Sequence, residues 1–294
     1  MGTTGASRGM ATSGGHGMAT GGITPEDFES LRLFLDESCG IVLGPHKAYL
    51  VRSRLGPLLR ELGYRGFGEL VRDLRTGARR GLRERVIEAM TTNETSWFRD
   101  RYPYALLEHE LLPAFGRARV PRIRVWSAAC STGQEPYSIS ITAHELAQRE
   151  PGLLPPLEIV GTDISPAVLE VARRGIYDEH AMRRGLSPER LQRHFRRVEA
   201  GWEVLPHVRA PVRFRPLNLL ESYALLGRFH VIFCRNVLIY FDPDRRRDIL
   251  ERMARVLEPG GALILGSSEA LPAELQPRFR VLRAHGGVCY RLPP

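Results

Sequence analysis

The 294-residue chain contains no run of about 18 consecutive apolar residues, so no membrane-spanning helix and no membrane insertion are expected. Met1 to Gly22 lacks both the basic start and the apolar core of a signal peptide. Gly, Ser, Thr, Ala and Met dominate this stretch, and residues 1–22 read as a disordered N-terminal extension. Gly2 opens no myristoylation motif, because Ala6 stands where that motif needs Ser or Thr. Cysteine is sparse. Cys39, Cys130, Cys234 and Cys289 form no C-x-x-C pair and have no histidine cluster nearby at zinc spacing, so no metal is expected and reduced, cytoplasmic thiols are. Lysine is scarcer still: Lys47 is the sole lysine among 42 basic side chains, and the net charge of +9 therefore rests on arginine. That skew fits genomic base composition better than a field built for nucleic acid. It leaves one modest expectation, faster and salt-dependent encounter with an acidic partner.

With 43% apolar residues, the chain can bury a core in one or two domains. Residues 23–92 are patterned as a small all-helical domain. Thr24-Pro25-Glu26-Asp27 supplies a cap, a proline at the first helical position and acids in the first turn; Phe28, Leu31 and Leu35 follow at helical spacing. A short helix is expected next. Further helices are marked by Leu50, Leu55, Leu58, Leu59 and Leu62 up to Gly63, by Phe67, Leu70, Val71 and Leu74 up to Gly77, and by Leu82, Val86 and Met90.

Residues 93–294 read differently. After a connecting helix near Tyr104 to Phe115, short apolar runs alternate with amphipathic helices, the pattern of a parallel sheet covered on both faces. The runs are Ile123–Ser127, Leu157–Thr162, Val212–Phe214, His230–Cys234 and Ala262–Gly266, and helices are expected near Glu135–Gln148, Pro166–Arg174 and Pro243–Leu257. Phe279–Leu282 and Val288–Arg291, either side of Gly286-Gly287, read as a hairpin that adds an antiparallel edge. Residues 177–215 are too long for one crossover helix and carry β-prone pieces at Trp202–Leu205 and Val208–Phe214. They are read as a helix plus a small antiparallel β-subdomain inserted in the main sheet.

Four loops at element ends gather the chemistry. Ser127 to Pro136, after the first strand, is built of small residues that let a ligand approach the backbone, although an ordinary tight turn would look similar. It is neither a G-x-G-x-x-G fingerprint nor a phosphate loop. Asp163 ends the second strand, where a carboxylate can accept both hydroxyls of a ribose. Its competing role, capping the next helix, is already suited to Ser165 before Pro166. Arg235-Asn236 follows a buried strand, and burying such a pair requires a polar partner, either a ligand or a nearby acid. Ahead of the sheet, Thr91 to Arg99 collects more hydrogen-bonding side chains than a helix cap needs.

The strings TTNETSWFRD, VWSAACSTGQEPYSISI, GTDIS, PLNLL and IFCRNVLIYFD, in this order, resemble the CheR family, the bacterial chemotaxis-receptor glutamate methyltransferases. The similarity runs from about Thr24 to Leu292. It implies a class I SAM-dependent methyltransferase fold, that is, a Rossmann-like α/β domain with a mostly parallel seven-stranded sheet, a small all-α N-terminal domain and an inserted β-subdomain. It also implies S-adenosylmethionine as cofactor, S-adenosylhomocysteine as product, and the cytoplasmic helical bundle of chemotaxis receptors as partner of a monomer. Asn93, Thr95 and Arg99 would line the donor site, with Arg99 toward the methionine carboxylate, and Glu135 would share that pocket. By the same resemblance Asp163 holds the ribose, Asn218 and Leu219 frame the adenine, Arg235 and Asn236 complete the rim, and Tyr240 lies near the transferred methyl group.

Such chemistry asks little of acid–base groups. Displacement at a sulfonium needs alignment and exclusion of water, and a glutamate with an unperturbed pKa of about 4.3 is already ionised. Receptor docking is expected from arginines of the helical domain, Arg52, Arg54, Arg60, Arg72, Arg75, Arg79, Arg80, Arg83 and Arg85. In some family members the β-subdomain grips a receptor peptide; here the loop within Arg196–Glu203 is short beside that pattern. Two rival classes fare worse. A nucleic-acid methyltransferase would carry an Asn/Asp-Pro-Pro-aromatic loop where this chain has Arg-Asn-Val-Leu, and a non-catalytic module would not need all five motifs.

Overall fold

The structure, a computed structural model, describes residues 22–294; the reading of the N-terminal extension as disordered lies outside the described residues. Helix α1 (Pro25–Cys39) starts where the Thr24 hydroxyl accepts the Asp27 amide at 3.1 Å, and it stops at Gly40, whose φ of +73° suits glycine. Helices α2 (Ala48–Leu62), α3 (Phe67–Thr76) and α4 (Leu82–Met90) close the small domain around a core that includes Leu31, Leu35, Val51, Leu55 and Leu70. The short helix expected between α1 and α2 is only a turn. The Lys47 amide bonds to Gly44 O, and the Val42 amide reaches across to Tyr240 O, which leaves too little chain for a helix of its own.

A connecting helix follows as α5 (Tyr102–Leu106), a π-helical turn (Leu107–Leu111) and α6 (Leu112–Arg117). The main sheet then assembles from β1 (Ile123–Ala128), β2 (Leu157–Asp163), β6 (Val212–Pro216), β7 (Phe229–Cys234), β8 (Leu257–Leu265), β9 (Arg280–Ala284) and β10 (Gly287–Arg291). Their order is β6-β2-β1-β7-β8-β10-β9, parallel from β6 to β8, with β10 antiparallel to both its neighbours. Alternation along each strand divides the core. Ile123 and Val125 of β1 and Val231 and Phe233 of β7 face one layer with α7 (Gln134–Arg149); Trp126 and Ala128 of β1 and Ile232 and Cys234 of β7 face the other with α12 (Pro243–Arg255). The seven-stranded sheet with helices on both faces matches the expected class I methyltransferase layout.

Helix α8 (Pro166–Arg174) leads from β2 into the insertion. This holds β3 (Ile176–Tyr177), α9 (Glu179–Met182), α10 (Pro188–His194), β4 (Phe195–Val198), β5 (Gly201–Val204) and α11 (Pro206–Arg209). Its three strands form a separate antiparallel sheet, β3-β5-β4. Val212–Phe214 is expected both as a run of the parallel sheet and within the 177–215 insertion, and the structure bears out the first. Pro206–Arg209 is a helical turn, and Val212–Pro216 pairs in parallel with β2 as the outer strand of the main sheet. Local propensity cannot distinguish an edge strand of one sheet from a strand of another, and Pro206, free of an amide hydrogen, favours a helix start.

The free edge of β6 is covered by side chains. Arg213 Nη1 donates to Val212 O at 2.9 Å, Arg173 Nη2 donates to Phe214 O at 3.4 Å, and Pro216 has no amide to offer.

Glu145 of α7 anchors the insertion. Arg190 donates to both carboxylate oxygens, Nε to Oε1 at 3.1 Å and Nη2 to Oε2 at 2.7 Å, and His194 Nε2 lies 3.3 Å from Oε1 while its Nδ1 lies 3.0 Å from His207 Nε2. Burial opposes ionisation of Glu145, but bonds from His194 and Arg190 outweigh it and hold the carboxyl at about 2 against an ordinary 4.5. A depressed carboxylate contributes stability above its unfolded value and loses it as pH falls toward its folded one. The unfolding free energy should therefore drop through this group between about pH 4.5 and 2, by on the order of 1 kcal/mol after solvent screening. Denaturant titrations across that range should show a shallower acid slope for Glu145→Gln than for wild type.

Candidate functional site

The register of the sheet brings five strand ends level, those of β1, β2, β6, β7 and β8. Ala128 sits beside both Thr162 and Cys234, Asp163 beside Pro216, and Cys234 beside Leu265. The loops that leave these ends open onto one rim, where ligands of parallel sheets bind. A cleft of about 990 Å³, its open mouth included, lies there. All the sequence-selected residues line it: Asn93, Thr95, Arg99, Glu135, Asp163, Asn218, Leu219, Arg235, Asn236 and Tyr240. The helical domain adds Cys39, Ile41 and Met90 to its wall.

Backbone in the left-handed region clusters at this rim. Phe98, Asp100, Arg101, Ala129, Ser131 and Asn236 all hold φ between +48° and +65°, a costly state for residues with side chains. Several buried hydrogen bonds fix these turns. Asp163 accepts the Ser131 amide on Oδ2 at 2.8 Å and the Ser165 amide on Oδ1 at 3.0 Å, while Ser165 caps α8 through the Val168 amide. Burial pushes the Asp163 carboxyl above its usual range, against the pull of those amides. Each of its oxygens keeps a lone pair for a further donor.

Arg235 has a nearby acid as partner, and in fact two. Nη1 donates to Glu135 Oε2 at 2.7 Å, and Nη2 donates to Asp100 Oδ2 at 2.7 Å and to Arg99 O at 2.9 Å. Ser127 Oγ completes the group by donating to Glu135 Oε1. The Arg235 side chain is 1% exposed, and its Nε is one of three buried side-chain polar atoms without a partner among the described residues. Burial disfavours its charge, yet the Glu135 carboxylate more than compensates. Asn218 is also engaged: Nδ2 donates to Ser38 O at 2.8 Å, and Oδ1 accepts the Leu220 amide. Asn93 offers its carbonyl to Ser131 Oγ. Arg99, half-buried, meets only Glu94 O at 3.2 Å, which leaves most of its donors for a ligand.

Sequence reasoning missed Asp100, Ser127 and Glu269. Asp100 and Ser127 lay within quoted motifs, and a buried guanidinium is itself a signal to look for carboxylates nearby. Glu269 accepts the amides of Asn236, Val237, Leu238 and Gly266 from a loop that carries no motif.

The model of the CheR methyltransferase SAM binding domain matches residues 93–288, and that of the CheR all-alpha domain matches residues 26–91. The chain belongs to the CheR methyltransferase family. It is 49% identical over 271 residues to chemotaxis protein methyltransferase 1 of Vibrio cholerae, covering 92% of this chain and 98% of that one. With chemotaxis protein methyltransferase 1 of Pseudomonas aeruginosa it shares 51% over 268 residues, 90% and 97% of the two chains. With the chemotaxis protein methyltransferase of Escherichia coli it shares 39% over 257 residues, 86% of each. It is thus a SAM-dependent methyltransferase of this family.

The cleft fits such a donor. Asp163 has acceptor capacity for a ribose diol, Ile164, Leu217 and Leu219 offer apolar faces for a purine, and the Arg99 guanidinium is available to a carboxylate.

Removing the guanidinium while leaving its acid behind should be expensive. Arg235→Ala strands the buried Glu135 carboxylate and should cost about 3–5 kcal/mol in urea unfolding. Pairing it with Glu135→Gln, which removes the stranded charge, should recover part of that loss.

Proposed function

We propose that the protein transfers a methyl group from S-adenosylmethionine to the γ-carboxylate of glutamates in the cytoplasmic helices of methyl-accepting chemotaxis receptors. The products are the glutamate methyl ester and S-adenosylhomocysteine. The observation that carries the reading is the convergence of Asp163, Arg99 and Tyr240 on one cleft at the strand ends, in a chain that aligns nearly end to end with chemotaxis protein methyltransferases. The bound donor supplies an electrophilic methyl group on a positively charged sulfur.

The chain's residues bind and align. Asp163 accepts the ribose hydroxyls, Asn218 and Leu219 frame the adenine, and Arg99 clamps the donor's carboxylate. Asn93, Thr95 and Asn236 furnish the polar wall around it. Arg235, bridging Glu135 and Asp100, keeps the floor rigid and places Arg99 through its carbonyl. Tyr240, half-buried at the mouth, holds the incoming glutamate by a hydrogen bond. That carboxylate arrives ionised, so no side chain has to remove a proton, and no histidine among the described residues lines the cleft.

The enzyme is proposed to act in the cytoplasm as a monomer; no described helix is long and apolar enough to cross a membrane. Docking by the helical domain draws on a reduced set of arginines. Arg54 is engaged by Met90 O and Thr92, Arg75 by Ser30, Arg79 by Leu62 O, Arg83 by Ser38 and Arg85 by Glu61, whereas the exposed Arg52, Arg60, Arg72 and Arg80 have no side-chain partner among the described residues. The β4–β5 turn is the two-residue Glu199-Ala200, so the proposal relies on the cleft rather than on peptide capture by the insertion.

Radiolabelled donor incubated with receptor fragments should yield alkali-labile glutamyl esters, and a receptor fraction without label would end the proposal. Arg99→Ala should weaken donor binding by on the order of 2 kcal/mol, roughly 30-fold, in isothermal titration. Tyr240→Phe should lower turnover more than donor affinity.

A further inference from the structure

Glu269 lies in the loop after β8 and turns its side chain back to the loop after β7. Its Oε1 accepts the amides of Val237 at 3.0 Å and Leu238 at 2.8 Å; its Oε2 accepts those of Asn236 at 2.8 Å and Gly266 at 2.9 Å. One carboxylate thus satisfies four backbone donors, all of its usual acceptor capacity. The fit is close on every side. A Cβ on Gly266 would stand 2.6 Å from Oε2 and 2.9 Å from the Asn236 nitrogen, so only glycine leaves room. Asn236 holds φ of +57°, a strained state that persists only when its surroundings enforce it.

Three of these amides belong to the segment that carries Asn236, Val237 and Tyr240 into the cleft. The segment continues through a single 3-10 turn, Leu238–Tyr240, closed by the Tyr240 amide on Val237 O at 3.2 Å. Its far end is pinned from the helical domain by the Val42 amide on Tyr240 O at 3.1 Å. Between these ties the Tyr240 main chain, and with it the point from which its side chain enters the cleft, is fixed.

We propose that Glu269 is a positioning residue for methyl transfer: its carboxylate clamps the Asn236–Tyr240 segment in the arrangement that presents Tyr240 to the reacting groups and Asn236 to the wall of the donor site. The inference rests on the reaction proposed above for its activity readout. Glutamine cannot replace it, because a carboxamide nitrogen would face two N–H donors where an acceptor is needed. Alanine leaves the four donors open to a small anion.

The test uses the full chain. In amide hydrogen exchange, Glu269→Gln should open Asn236, Val237, Leu238 and Gly266 by about tenfold while β1 and β2 keep their wild-type protection. Its turnover should fall about tenfold or more, with S-adenosylhomocysteine affinity changed by less than about threefold. Formate added to Glu269→Ala should restore turnover in a saturable way, which a loss of general stability would not allow. Unchanged exchange at the four amides, turnover within twofold of wild type, or donor affinity falling in step with turnover would each overturn the proposal. Failure of the receptor assignment shows separately, as wild-type protein that labels no receptor; the exchange measurement needs neither donor nor receptor and still decides whether Glu269 holds the loop.

Discussion

A guanidinium out of contact with solvent, shared between two carboxylates, sets the terms for everything at the rim of the sheet. Arg235 comes from the end of β7, Glu135 from the first turn of α7 and Asp100 from the stretch before α5, and the three meet within hydrogen-bond distance. Such a buried charge is tolerable only with its partners in place. Each partner therefore constrains the others: α7 must start where Ser127 and Glu135 meet, and the chain at Arg99 must pass where its carbonyl can accept from Arg235. The strained backbone at Phe98, Asp100 and Arg101 is one result of that demand.

A second set of ties explains why a helical domain accompanies the sheet. The end of α1 and the residues after it close one side of the cleft. Ser38 O takes the Asn218 amide group, Val42 meets Tyr240, and Asp36 pairs with Arg245. At Gly40 the domains touch so closely that a Cβ would lie 2.5 Å from the Phe241 ring. These contacts combine main-chain bonds, an ion pair and the close seat of the Phe241 ring on Gly40, so the wall they form is specified point by point.

What the sequence discloses and what it conceals follow from the range of the forces. The cap at Thr24, the stop at Gly40, the alternation in β1 and β7 and the small residues after β1 are local, and a reader of neighbouring residues sees them. Asp163 and Arg235 stand out because a charge after a buried strand needs an explanation. Partners across long separations are silent: Asn218 serves Ser38, and Glu269 serves amides about thirty positions earlier, whose hydrogens no sequence pattern displays. The end of the insertion stayed ambiguous because Val212–Phe214 reads equally as a run of the parallel sheet and as a piece of the insertion, and only pairing with β2 assigns it to the main sheet.

The treatment of the outermost strand bears on how the molecule behaves in a crowded compartment. An open sheet whose margin offers unpaired carbonyls invites another copy to add a strand, and repetition of that step builds fibres. On β6 the carbonyls of Val212 and Phe214 are already taken by guanidinium groups of the same chain, and a proline ends the row. Arginines from β6 itself and from α8 thus occupy acceptors that a strand of a second copy would need, which weakens pairing along this edge.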